Sequence, residues 1–209
     1  MAMKISMFSD FVCPFCYVGF EVIRKLKPEF DLEIEWRGFQ IHPEWPAEGM
    51  DPERFYQSMG AERRRIAWQN IRTLAEEIDL PIKPPAVLVN SRLALEAAEF
   101  ASESGLGEAF EERVYRSYFQ EDGNIGDPRV IGALASEVGL DSGAIENALN
   151  SGRYSLKLKN TAMVASNRDV TGVPTFFIGQ LPLVGAQSLD VMRKLISRAI
   201  ERGAANQDS

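Results

Sequence analysis

The chain has two cysteines, Cys13 and Cys16, three positions apart in the stretch SDFVCPFCYVGF. Two sulfurs so spaced can form a dithiol redox couple or contribute half of a metal site, and chance placement gives the spacing in only about 1% of cases. A structural zinc site takes about four Cys or His ligands. Beyond the pair this chain offers one histidine, His42, so carboxylates or a second subunit would have to complete a metal site. A redox cysteine instead reacts as its thiolate. Pro14 marks a helix entry, because proline in the first turn gives up no needed N–H, and the free amides and dipole of that helix end favour an anion at Cys13. Cys16, one turn further along, is within sulfur reach and can resolve a mixed disulfide by internal attack. Cys13 is therefore the candidate nucleophile, Cys16 the resolving thiol, and Pro14 and Phe15 the residues between them.

The elements that must hold this pair follow from periodicity. Residues 4–8, KISMF, alternate as a strand closed by Asp10, and Val18, Val22, Ile23 and Leu26 recur at helical spacing up to Pro28. Residues 32–39, LEIEWRGF, alternate again with Leu32, Ile34 and Trp36 on one face, so a βαβ unit with a parallel strand pair is expected. A proline-rich passage leads to Asp51-Pro52, a helix cap and first turn, and about a hundred residues of helical pattern follow. Within them are the apolar stripes Ile71, Leu74, Ala75, Ile78; Leu93, Ala97, Phe100, Ala101; and Phe110, Val114, Tyr118. Asp127-Pro128 and Asp141 open two more helices. Strand signals return at Pro174–Gly179 and Leu181–Gly185, joined through Gln180 as a tight hairpin. Ser188 then caps a last helix that presents Leu189, Met192, Ile196 and Ala199 inward and frays after Gly203. The order expected is βαβ, helical block, ββα.

Composition narrows the functions. The 209 residues carry a net charge of −7, which argues against a nucleic-acid binder. No apolar run reaches the roughly 18 to 20 residues of a membrane span, and the N-terminus lacks the pattern of a signal peptide, so a cytoplasmic protein without membrane association is expected. Two cysteines give no disulfide framework, and folding must rest on packing.

The stretches SDFVCPFCYVG and GVPTFFIG together resemble the DsbA family of the thioredoxin superfamily, in its FrnE-like branch, with Asp10 and Tyr17 part of the pattern. EIEWRGFQIHPEWPAEG resembles that branch's second strand and proline-rich exit, and PLVGAQS its last strand and helix entry. The resemblance covers essentially the whole chain. It implies an α/β protein, a thioredoxin fold interrupted by a large α-helical insertion: residues 1–45 and 156–209 the thioredoxin-like parts, 46–155 the inserted domain. It implies an exposed Cys13, a shielded Cys16 and a cis Pro174 beside them, although X-Pro bonds are cis in only about 5 to 6% of cases. It further implies that the Val173 backbone pairs with an extended substrate peptide.

The activity implied is thiol–disulfide exchange with protein, peptide or small-thiol substrates, with no tightly bound cofactor, glutathione as a co-substrate, and a monomer or homodimer. Phe15 stands where many relatives have histidine and cannot donate a hydrogen bond to the thiolate, so a milder oxidant is expected. On the inserted helix, NSRLALE retains Asn90, Ser91 and Ala94 of the branch but has Leu95 and Glu96 in place of histidine and arginine. Kappa-class glutathione transferases and 2-hydroxychromene-2-carboxylate isomerases share the interrupted fold, which makes a glutathione-dependent isomerase or transferase the alternative. They generally carry serine at the place of Cys13 and lack the resolving cysteine, so the intact pair counts against it. A peptide-holding chaperone is a third possibility.

Other residues are read structurally. His42 is assigned to loop packing and Trp36, Trp45 and Trp68 to core or interface. Arg63, Arg64 and Arg65 are assigned to a solvated helix face, with the gripping of an acidic substrate or glutathione as the lesser alternative. Asp10 either shapes a turn or positions a water for Cys16.

Overall fold

The computed structural model describes residues 2–205. Four strands and nine helices occur among them, in the expected order. β1 (Met3–Ser9) leads through a short loop into α1 (Pro14–Leu26), which returns the chain to β2 (Leu32–Gly38). Helices α2 (Pro52–Met59), α3 (Ala61–Glu76), α4 (Arg92–Glu103), α5 (Gly107–Gln120), α6 (Pro128–Glu137), α7 (Ser142–Asn150) and α8 (Arg153–Asn167) follow, then β3 (Thr175–Ile178), β4 (Leu181–Val184) and α9 (Leu189–Ala205). No described helix is long and apolar enough to cross a membrane.

The sheet order is β2-β1-β3-β4, with β1 parallel to β2 and antiparallel to β3. This topology brings distant residues together. Phe8 at the end of β1 lies in register with Thr175 at the start of β3, so the loop leaving β1 and the residues entering β3 meet at one end of the sheet.

Local chemistry explains three helix starts directly. The side chains of Asp51, Asp127 and Asp141 accept hydrogen bonds from Glu53, Arg129 and Ala144 amides at 2.9, 2.8 and 2.6 Å. Two helix ends fall short of the periodic reading: Ile78 and Val138 lie two and one residues beyond α3 and α6. The hairpin loop is Gly179-Gln180, with Gly179 at φ 61°, a conformation that glycine adopts without a Cβ clash in two-residue hairpins. α9 continues through Gly203 to Ala205 instead of fraying there; Asn206–Ser209 of the expected frayed tail lie outside the described residues.

α8 runs unbroken across the boundary expected between residues 155 and 156. Its Leu158, with Leu95 of α4, packs on Gly38 at the end of β2: a Cβ there would lie 3.2 and 3.3 Å from those two side chains. One apolar core runs through sheet and helical block, from Ile5, Met7 and Ile178 to Leu95, Phe110, Tyr115 and Ile131.

Gly19 is where α1 seats on β3. A Cβ at this position would stand 2.8 Å from Phe176 Cζ and 3.5 Å from Pro174 Cγ. Gly19→Val is expected to cost about 2 kcal/mol by overpacking, lowering Tm by roughly 4–8 °C in a thermal melt. An unchanged Tm would mean that the contact yields freely.

Candidate functional site

Cys13 is the N-cap residue of α1, in extended conformation, with Pro14 in the first turn. Its carbonyl accepts from the Cys16 and Tyr17 amides at 3.0 and 3.3 Å, and its amide donates to Asp10 O at 3.2 Å. Across the sheet end, Cys13 Sγ donates to Val173 O at 3.7 Å, joining residues 160 positions apart in sequence. The Val173–Pro174 peptide bond is cis. Val173 is half-buried and Pro174 buried.

Both cysteines are free, and their surroundings differ. Cys16 is 0% exposed and Cys13 7%, so Cys13, which the resemblance implies is exposed, is a largely buried residue that lines a cleft. Burial pushes the Cys16 thiol well above its ordinary range, the hydrogen bond and charge of Cys13 add to this, and Ser9 and the Asp10 backbone oppose it.

The opening of Cys13 is a narrow cleft of about 190 Å³ between the α1 start and the helical block. Pro14 and Phe15 line one side, and Ile41, Trp45, Phe55, Tyr56, Met59 and Trp68 much of the other. His42 stacks on Trp45 with ring centroids 3.9 Å apart, and Phe55 meets both rings edge-on. The His42 Nδ1 lies 2.8 Å from Glu44, and the ring, assigned to loop packing from the sequence, also lines the cleft. Trp36 lies elsewhere, stacked on Phe11.

Behind the cysteines is a buried polar layer. Asp10 is 0% exposed; its carboxylate accepts from the Ile41 amide at 2.7 Å and, at 3.4 Å, from the Val12 amide. Burial raises its pKa and the Ile41 amide is the largest opposing influence. Asp10 thus clamps the loop after β1 to the loop after β2. Tyr115 of α5 brings its hydroxyl 2.6 Å from Ser9 Oγ and 3.4 Å from Asp10 O, and burial raises its pKa well above the phenol range. Tyr17 stacks on Tyr115 and Phe119 and accepts from Gln120 at 2.7 Å.

Of the residues singled out from sequence, Cys13, Pro14, Phe15, Cys16, Val173 and Pro174 come together, with Asp10 and Tyr17 directly behind. Asn90 does not join them: it accepts from Gln40 at 2.6 Å and from the Arg92 amide at 3.0 Å, and donates to Pro43 O at 2.8 Å. It fastens the post-β2 loop to the start of α4. Sequence inspection passed over Phe55, Tyr56 and Tyr115, whose proximity to the cysteines depends on how α2 and α5 pack; no local signal marks them. Among the described residues no group of three His, Cys, Asp or Glu side chains is placed to hold a metal.

Residues 4–197 match the family model of the DSBA-like thioredoxin domain. The chain is 35% identical over 201 residues to YwbO of Bacillus subtilis (strain 168), itself described as uncharacterized, covering 94% of this chain and 97% of that protein. Among solved structures, a probable DsbA oxidoreductase from Streptomyces coelicolor superposes with a TM-score of 0.85 at 22% identity, over 95% of this chain and 90% of that one. A 2-hydroxychromene-2-carboxylate isomerase superposes with a TM-score of 0.77 at 20% identity, over 99% and 98% of the two chains.

Proposed function

Because the chain belongs to the DSBA-like thioredoxin domain family, we propose that it is a thiol–disulfide oxidoreductase whose Cys13 and Cys16 cycle between dithiol and disulfide. The observation that carries this reading is the asymmetry of the pair: Cys13 caps a helix at the mouth of a cleft, and Cys16 is wholly enclosed one turn later.

The asymmetry assigns the steps. The Cys13 thiolate attacks one sulfur of a substrate disulfide, forming a mixed disulfide and expelling the other sulfur as a thiolate. Cys16 then loses its proton and attacks Cys13 Sγ, forming the Cys13–Cys16 bond and releasing the second substrate thiolate. The substrate gains two electrons and the protein loses them. Two equivalents of a small thiol such as glutathione, abundant in a reducing cytoplasm, restore the dithiol and leave as its disulfide; the reverse sequence oxidises a dithiol substrate. Burial keeps the Cys16 thiol protonated and the Cys13 charge adds to this, so forming the mixed disulfide at Cys13, which removes that charge, eases the deprotonation that the second step needs. The Val173 carbonyl, beside Cys13, is the backbone group to which an extended substrate would add.

Equilibration in glutathione redox buffers, followed by thiol alkylation and mass measurement, tests the couple. A single two-electron transition between roughly −270 and −120 mV is expected. A pair that stays reduced in every buffer while the protein is folded would remove the basis for exchange.

A further inference from the structure

Beside the cleft of Cys13 lies a second groove, of about 440 Å³, between α2, α3 and Pro84. The two share Tyr56, Arg64 and Trp68, so a chain leaving Cys13 across the apolar cleft passes into the groove. Helix periodicity builds its α3 wall: Arg65, Trp68 and Arg72 follow one another at three- and four-residue steps on one face. Arg64 lies at the border, its guanidinium carbon 4.0 Å from the Tyr56 ring centroid, donating to Glu53 at 2.7 Å.

The charge of this groove opposes that of the protein. Three arginines, Arg64, Arg65 and Arg72, face it against one carboxylate, Glu53, which is already paired with Arg64. Arg65 pairs with the exposed Glu62 on its own helix, a contact worth little in water. Arg72 is exposed and makes no ion pair among the described residues. The chain as a whole carries −7, so its overall field repels carboxylates, and this groove offsets that repulsion beside the reactive sulfur.

We propose that the Arg64–Arg65–Arg72 groove binds the carboxylate-bearing flank of a peptide disulfide while the substrate sulfur meets Cys13. This rests on the exchange reading above and adds a substrate class to it: peptides with acidic residues next to the reacting cysteine. The apolar cleft takes the residues at the disulfide and the arginines their charged neighbours.

The test uses the full chain and three peptide disulfides that differ only in the residues flanking the cysteine, Glu, Gln or Lys, with glutathione disulfide as a small-molecule comparison. Mixed with the pre-reduced protein in a single turnover at about 20 mM salt, the Glu peptide is expected to react with a second-order rate constant about tenfold above the Lys peptide, a gap that narrows at about 200 mM as screening shortens the field. The double variant Arg65→Glu, Arg72→Glu is expected to invert the order, with the Lys peptide gaining in absolute rate, a result that misfolding cannot produce. Equal rates on the three peptides, or a preference that survives the double variant, overturns the groove. A charge effect on glutathione disulfide alone also overturns it, in favour of a small thiol. A folded wild type that shows no redox couple and reduces none of the peptides fails at exchange itself, and the groove's role falls with it.

Discussion

Cys13→Ala is expected to reduce disulfide exchange to the uncatalysed background, because the variant retains no thiol at the cleft mouth to form the first covalent bond. Cys16→Ala is expected to behave differently. Cys13 still attacks, but the mixed disulfide has no internal resolving thiol, so it accumulates and the protein gains the mass of one substrate thiol. Mass spectrometry after acid quench, alongside turnover of a peptide disulfide, distinguishes the two. Full turnover by Cys16→Ala without a trapped adduct would instead fit chemistry on bound glutathione, in which the second cysteine has no step. Enclosure supports the assignment: with Cys16 at 0% exposure, a bulky substrate can reach it only through Cys13.

The largest effect on stability is expected from a residue outside the site. Glu111 of α5 is 5% exposed, and burial raises its pKa to about 8, with Glu108 and Glu99 adding and Lys27 opposing. In the unfolded chain the group titrates near 4.3. Below about pH 4 it is protonated in both states and has no linkage effect. As the pH rises towards 8, the folded state keeps a proton that the unfolded state has released, so stability falls by up to about 1.4 kcal/mol per pH unit and the loss levels off above 8. Full linkage would amount to on the order of 5 kcal/mol. Glu111→Gln is therefore expected to match wild type near pH 4.5 and to exceed it by about 4 kcal/mol at pH 8, read from urea midpoints at constant m. Parallel loss of stability in both proteins between these values would show that another group titrates.

Much of the fold was legible because its signals are local. Strand alternation in residues 4–8, the Asp-Pro helix starts and the stripe Val18, Val22, Ile23, Leu26 are read over a few residues, and the corresponding elements are found. The cysteine pair is equally local. What the sequence concealed depends on packing between distant segments. Arg64 looked like part of a solvated run, Arg63–Arg65, but its place on α3 turns it towards Tyr56 and the cleft. Asn90 carried a family resemblance yet fastens the post-β2 loop to the start of α4. Tyr115 is one aromatic among several in α5, and its bond to Ser9 follows only from the docking of α5 behind β1. The domain boundary expected at 155/156 falls inside one helix for a related reason: Tyr154, Leu158, Thr161 and Ala165 are buried on α8, and its continuity serves sheet and helical block together.

The outer hairpin strand also limits self-association. The Gly185 amide donates to Pro174 O at 2.8 Å, and because hydrogen-bonded pairs alternate in an antiparallel ladder, the Phe177–Pro182 pair in this register is a non-hydrogen-bonded one. The ring nitrogen of Pro182 therefore points away from β3, towards the unpaired edge. Of the four residues of β4, only Val184 offers an outward amide donor, although Leu181 and Val184 are exposed and apolar. An edge with one donor is a poor template for a strand from a second copy. The apolar hairpin can thus stand at the margin of the sheet without nucleating edge-to-edge aggregation.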